Sequence, residues 1–523
     1  MFIRDLPRRT LGFLALLPFL LPLNAVTSDC TECHEVNLPS FAASAHGFLS
    51  CVDCHGGGEE FPHPEGVRQT DCEVCHSEVV EQYAASIHAR VRANGAQAPT
   101  CVTCHGDIHA LISSSDPRSP VHPARLPDSC GSCHANPEMA TRFGLLFTRP
   151  LEAYRASVHA RAVTEGREGP TCNDCHTSHA ILPGADPRST VYPSRVPETC
   201  GGCHQEIAAT YARSIHGIAV ARGVHEAPVC TDCHGEHRIL SPREPGSPVF
   251  PTNIPLQTCG RCHGDIRLSD KFGLPHDKVP AYEDSYHGLA ARAGVQSVAN
   301  CASCHGVHDI LPSSDPRSHV HPANLPQTCG QCHPGAGSRF SLGPVHVVAT
   351  EAEFPAAYYV RLFYLPLILL TIGAMVLHNL LDLLRKARSP ALRTQAGGHT
   401  APERMSLGFR VAHGLVMVSF ALLVYTGFAL TYPESWWARP VIGWEGSLGL
   451  RGLVHRVSAV VLLAAFGFHL THLWRSRRAR ACIARMRPGR EDWHELKQRL
   501  RYYLGRSREM PRSGKLGYVE KSE

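Results

Sequence analysis

Residues 26–350 of this 523-residue chain lack what most domains of that size fold around. They contain no long apolar run and no sustained amphipathic period, while Pro and Gly are dense. Regular secondary structure should therefore be sparse there, and an oily side-chain interior is not expected. A dominant charge is lacking as well. The formal net charge is +5 at pH 7 and no nucleic-acid recognition motif occurs, so a nucleic-acid partner is not implied. What is present instead is cysteine. There are 23, and 22 of them fall in one pattern, leaving only Cys482 outside it.

That pattern is Cys-x-x-Cys-His, repeated eleven times between residues 30 and 333. The cysteine pairs are Cys30 and Cys33, Cys51 and Cys54, Cys72 and Cys75, Cys101 and Cys104, Cys130 and Cys133, Cys172 and Cys175, Cys200 and Cys203, Cys230 and Cys233, Cys259 and Cys262, Cys301 and Cys304, and Cys329 and Cys332. The closing histidines are His34, His55, His76, His105, His134, His176, His204, His234, His263, His305 and His333. This is the attachment signature of c-type haem, in which two thiols add to the vinyl groups and the next histidine binds iron. A disulfide framework does not need a histidine after every second cysteine. Zinc ribbons need paired units of four ligands, and eleven is odd. Eleven haem c groups also bring up to 22 propionate charges, so the basic side chains read as propionate partners and topology markers.

Residues 1–25 read as a signal peptide: Arg4, Arg8 and Arg9, the apolar run Leu11–Leu23, then Asn24-Ala25. A retained anchor is the alternative. Residues 26–350 then form an undecahaem domain outside the cytoplasmic membrane. Four tandem dihaem units cover residues 83–333. Each opens on Tyr-x-x-Ser-x-His, at Tyr83–His88, Tyr154–His159, Tyr211–His216 and Tyr282–His287, and Phe41–His46 is a degenerate earlier copy. A haem motif follows, then a nearby histidine, and then a connector marked by Asp116–Ser119, Asp186–Ser189 or Asp315–Ser318. A second haem motif closes the unit.

Six-coordinate iron needs a second axial ligand. The candidates are His88, His159, His216 and His287, then His109, His179, His237 and His308, with His46, His63 and His346, eleven in all. The match in number favours bis-histidine ligation but leaves open which histidine serves which haem. His122 and His321 read as structural or propionate-binding, and His225, His276 and His319 are spare. The expected fold is a multihaem cytochrome c domain with little regular secondary structure, short helices and a haem-packed core, followed by a three-helix transmembrane domain. Close motif spacing suggests a path for electrons. An enzymatic multihaem centre would want an open iron or a Cys-x-x-Cys-Lys variant, and none of the latter is present.

After residue 350 the composition turns apolar. Ala356–Leu384, Leu407–Leu430 and Leu453–Trp474 can each span a bilayer. Domain boundaries are placed at 351–385 for the first helix, 386–406 for a cytoplasmic loop, 407–474 for a two-helix part of a cytochrome b-like domain and 475–523 for a cytoplasmic tail. Arg385, Lys386 and Arg388 follow the first span, and Arg475, Arg477, Arg478 and Arg480 follow the third. The positive-inside rule puts both clusters in the cytoplasm. Trp436, Trp437 and Trp444 fit an outer interfacial belt. Histidines in spans are costly and call for a role. His413 and His455 are read as haem b ligands, while His378, His469 and His472 could ligate iron, bind quinone or carry protons. Trp493–Leu504 is expected as a surface amphipathic helix.

Arg410-x-x-His413-Gly with Phe420-x-x-x-x-Thr426-Gly427 resembles the first histidine helix of the dihaem cytochrome b subunits of formate dehydrogenase and nickel-iron hydrogenase, and Arg451-x-x-x-His455-Arg456 the second. Asp492-Trp493, Leu496, Tyr502-Tyr503-Leu504-Gly505 and Gly514-Lys515 resemble their cytoplasmic link. Fusion to many c haems is similar to quinol-oxidising inner-membrane cytochromes of metal-respiring bacteria. The resemblance implies up to two haem b, with His413 serving an inner and His455 an outer one. That family has four helices, the last carrying two further ligands, and this chain ends at Glu523. A small membrane partner subunit would supply those helices and ligands. A truncated coding sequence, or ligation rearranged within the chain through His378 or His469, are the alternatives. The implied function is quinol oxidation near His413, His469 or His472 and conduction to a periplasmic or outer-membrane cytochrome acceptor. Quinone reduction in the reverse direction, an electron-transfer subunit of a larger respiratory oxidoreductase, and a membrane-tethered haem store remain open.

Overall fold

The structure is a computed structural model that describes residues 28–56, 63, 72–145, 149–341, 343, 345–347, 350, 354–388, 407–443, 449–477, 480–481, 486–507 and 521. Residues 1–25, read above as a signal peptide, the link 389–406, Trp444, Cys482, Gly514 and Lys515 lie outside the described residues. Among the described residues every regular element is helical and none is a strand. The chain divides into two compact units, Met1–Ser241 and Pro242–Glu523.

The repeats are built from helices of one or two turns, as the scarcity of apolar periodicity implies. Tyr-x-x-Ser-x-His is a corner between two helices. Tyr83 lies in the last turn of Glu73–Ala85, and His88 is the second residue of Ile87–Ala93. The same corner joins Pro150–Arg155 to Val158–Thr164, Gln205–Ala212 to Ile215–Ala221, and Lys278–Asp284 to Tyr286–Arg292. The serine makes the corner. Ser86, Ser157, Ser214 and Ser285 each accept a hydrogen bond from the backbone N–H three residues on, capping the second helix. Three of them, Ser86, Ser157 and Ser214, are fully or almost fully buried.

Three helices are long and apolar enough to cross a membrane: Pro355–Arg388, Leu407–Thr431 and Leu450–Arg475. The second and third pack along each other, and the amphipathic helix Arg490–Tyr503 packs on the first. There Tyr503 donates to Asp382 Oδ1 at 3.2 Å, and the Arg385 guanidinium lies over the Tyr502 ring. In this same unit, Tyr286–Arg292 of the last repeat packs against the second span.

Candidate metal centres

The first motif of each repeat is a single turn: Cys101–His105, Cys172–His176, Cys230–His234 and Cys301–His305. Spacing i, i+3, i+4 puts both thiols and the imidazole on one side of a turn. The second x residue closes that turn. Asp174 and Asp232 accept from the backbone N–H of Thr171 and Val229, Thr103 from Thr100, and Ser303 from Asn300. The tyrosine of the corner holds the approach to the same turn. Tyr83, Tyr154, Tyr211 and Tyr282 donate to the carbonyls of Pro99, Pro170, Pro228 and Ala299, two residues before the first cysteine, at 2.6–3.1 Å. Burial raises all four phenols, Tyr154 to about 12, so they remain donors.

The second motif is held differently. Ser129, Thr199, Thr258 and Thr328, each just before its first cysteine, donate to the carbonyls of Pro120, Thr190, Pro248 and His319 in the connector. The residue after that cysteine is glycine in all four, and at Gly131 an added Cβ would sit 2.3 Å from Leu151 Cδ2 of the neighbouring helix. In the connectors Arg118, Arg188 and Arg317 form ion pairs with Asp116, Asp186 and Asp315 at 2.7–2.9 Å. Those contacts hold each carboxyl at about 2.

The fold brings the motif histidines opposite the remaining candidates. The pairs are His34 with His63, His46 with His76, His55 with His109, His88 with His134, His105 with His179, His159 with His204, His176 with His237, His287 with His333, and His305 with His346. Each contains one motif histidine and one other. Ring centroids lie 6.0–6.4 Å apart, while interplanar angles run from 10° to 58°. Ordinary aromatic contacts spread over about 4.5–7 Å. A nearly constant distance with a free angle is what two rings on one axis would have. A metal–imidazole bond is about 2.0–2.1 Å and the centroid lies about 1.1 Å behind the nitrogen, so two rings sharing one metal would be roughly 6.3 Å apart.

The donor set fits a haem iron. Among the described residues no three His, Cys, Asp or Glu side chains converge on one point. Two imidazoles are too few for a structural zinc site and are the number a porphyrin-held iron leaves to the protein. In the first unit a continuous cavity of about 3260 Å³ is lined by all fourteen histidines of the seven pairs there and by the cysteines of the seven motifs from Cys30 to Cys203. Shared evenly, that is about 470 Å³ per pair, within the roughly 300–1000 Å³ of a small-molecule site. Burial pushes His88, His105, His134, His159, His176, His237, His287, His305 and His346 below the ordinary histidine value, which keeps them neutral and able to bind metal. His346 Nδ1 donates to the carbonyl of Lys278 at 3.0 Å, leaving Nε2 for a metal.

The pairing has a rule that the sequence alone left open. A corner histidine serves the second motif of its own repeat, as in His88 with His134. The first motif is closed from the next repeat, as His105 by His179 and His176 by His237. His346 takes that place after the last repeat. His216 and His234 lie in the first unit and His263 and His308 in the second, at the corresponding positions of their repeats. His122 and His321 instead accept through Nδ1 from Ala124 and Ala323 within their own turns, and His319 binds Asp309.

Consecutive motifs are spatial neighbours. The side chains of Cys30 and Cys51, Cys130 and Cys172, Cys200 and Cys230, and Cys259 and Cys301 are close enough to perturb one another, which raises Cys130 and Cys200 far above the usual thiol value. Electrostatic neighbours fill the intervals: Cys54 and Cys75, His76 and His105, Cys104 and Cys133, Cys175 and Cys200, Cys304 and Cys329. Eight motifs thus run in sequence order through the first unit and three through the second.

In the spans, His455 Nδ1 meets Thr426 Oγ1 at 2.7 Å. His413 is exposed on the second span. His469 and His472 flank Phe409, with centroids 5.7 and 4.3 Å away, and His378 packs edge-on against Tyr503. The supporting roles of the tyrosine, hydroxyl and glycine residues around the Cys-x-x-Cys-His turns were what sequence reasoning missed. Their signal was there in the x positions and flanks of the motifs, which differ consistently between first and second motifs. No protein-family model, curated protein or solved structure matches this chain.

Proposed function

We propose that this chain is a membrane-bound respiratory electron-transfer protein, oxidising quinol at a b-haem membrane domain and conducting electrons along eleven c haems to a periplasmic or outer-membrane acceptor. The observation that carries the reading is the set of nine histidine pairs at 6.0–6.4 Å, each anchored on a Cys-x-x-Cys-His turn. Haem iron bound there supplies one-electron redox chemistry.

The chain's own residues hold, order and insulate. The paired cysteines anchor each macrocycle, the two imidazoles clamp its iron, and the tyrosine and hydroxyl supports fix the turns. The sequence-ordered row of motifs supports a conducting path with two ends. Packing of the His287-bearing helix Tyr286–Arg292 on the second span supports entry from the membrane at the last motif, whose His333 pairs with His287. Quinol releases two electrons and two protons, and His413, His469 and His472 are the residues proposed to line its site. His413 and His455 are proposed to hold haem b with ligands completed by a partner membrane subunit, as the resemblance to formate dehydrogenase and hydrogenase cytochrome b subunits implies. The basic clusters after the first and third spans support a cytoplasmic C-terminus and an external multihaem domain.

The test uses native membranes carrying the full chain. Acid-acetone extraction should leave eleven porphyrins bound to the polypeptide by mass and release only haem b, and a quinol should reduce the covalent haems. A bare polypeptide mass sinks the cofactor reading, and quinol-inert c haems sink the proposed direction.

A further inference from the structure

We infer that Thr426 is the positioning residue that sets His455 as an iron ligand, by fixing its tautomer. This rests on the reading that His455 holds a haem b. Thr426 is 1 % exposed, within the second span. Its hydroxyl has one proton and makes two short contacts, to Leu422 O at 2.6 Å and to His455 Nδ1 at 2.7 Å. The carbonyl can only accept, so the hydroxyl proton goes there. Nδ1 of His455 must then be the donor, and Nε2 carries the free lone pair that a metal needs.

The arrangement is braced from the other helix. Arg451, one turn before His455 on the third span and 4 % exposed, donates through Nη1 to the carbonyl of the same Thr426 at 3.4 Å. The threonine is thus gripped by its carbonyl and its hydroxyl on one face of the third span. Gly427 follows, and an added Cβ there would lie 3.9 Å from His455 Cε1, so this part of the second span is within van der Waals reach of the imidazole. A hydroxyl that accepts from Nδ1–H also makes the imidazole a stronger donor, which favours ferric iron and lowers the potential of that haem.

The experiment compares the full chain in its native membranes with T426V, T426S and T426C, using covalent c-haem content as the measure of folding. T426V should release extractable haem b roughly ten- to a hundredfold faster on detergent washing and shift the midpoint of one b-type absorbance band upward. T426S should match the parent. T426C, similar in size with a weak acceptor, should fall between them and serves if valine blocks accumulation. T426V or T426C with the parent's release rate and midpoint overturns the inference and makes Thr426 a packing contact. H455A separates the underlying reading: if it keeps the parent's full haem b, His455 is not a ligand and both fall.

Discussion

His105 faces His179 across 6.3 Å with their planes 12° apart, although His105 closes a motif in one repeat and His179 belongs to the next. His176 and His237 repeat the relation at 6.1 Å and 10°. Successive repeats therefore interlock through these histidine pairs, and His105, His176 and His305 each meet a partner from beyond their own repeat.

Because of that displacement, replacing His179 should damage the site at Cys101 and Cys104, not the adjacent one at Cys172 and Cys175. H179A should turn one haem in eleven from low-spin to high-spin by visible and EPR spectroscopy. The high-spin signal should vanish in a C101S/C104S background and persist in C172S/C175S. The opposite pattern would mean that ligands are local to each repeat.

Sequence-ordered neighbours make the row breakable at one place. Cys172 lies against Cys130, and Cys175 against Cys200. Removing the haem between them with C172S/C175S should leave the motifs from Cys200 onward reducible by quinol within the parent's time course and strand those from Cys30 to Cys133. Stopped-flow absorbance should show five haems lagging. Reduction of all ten at the parental rate would mean a branched or shortcut path.

The corner residues are supports and should cost stability rather than cofactor. Tyr154→Phe removes a 2.9 Å hydrogen bond to Pro170 O, about 0.5–1.5 kcal/mol for a half-buried pair. Ser157→Ala removes a buried cap, about 1 kcal/mol. Denaturant unfolding followed by Soret dichroism should show both losses with covalent haem content unchanged. A variant that lacks a haem would instead place its residue in attachment.

Acid should expose the connector ion pairs. Asp116, Asp186 and Asp315 are held at about 2, below their ordinary 3.8, chiefly by side-chain hydrogen bonds from Arg118, Arg188 and Arg317. A carboxyl lowered on folding stabilises the protein fully above its unfolded value, and the stabilisation is lost as pH falls through the folded one. The triple Asn variant should differ most from the parent at pH 5, less below about 3.8, and not at all below about 2. The difference should shrink in high salt, since these pairs are exposed. A difference that grows on acidification would contradict the assignment.

The parts legible in the sequence were the contiguous ones. Cys-x-x-Cys-His carries its thiols and imidazole on one turn, so the local arrangement of each motif can be read without a fold. The three spans were legible because bilayer thickness sets a length and a polarity that few other contexts demand, and the observed helices extend the expected ranges by only a few residues. Tyr154-x-x-Ser157-x-His159 was visible as a repeat but not as a corner. Its tyrosine acts on Pro170, sixteen residues on, and its serine divides two helices.

By itself the sequence determined how many Cys-x-x-Cys-His turns there are and which segments can enter a membrane, since each depends on neighbours along the chain. Only the tertiary structure decided that His179 lies opposite His105, that consecutive motifs are neighbours, and that Thr426 contacts His455. These relations join residues tens of positions apart, where backbone geometry sets no distance and only the packing of one helix against another does.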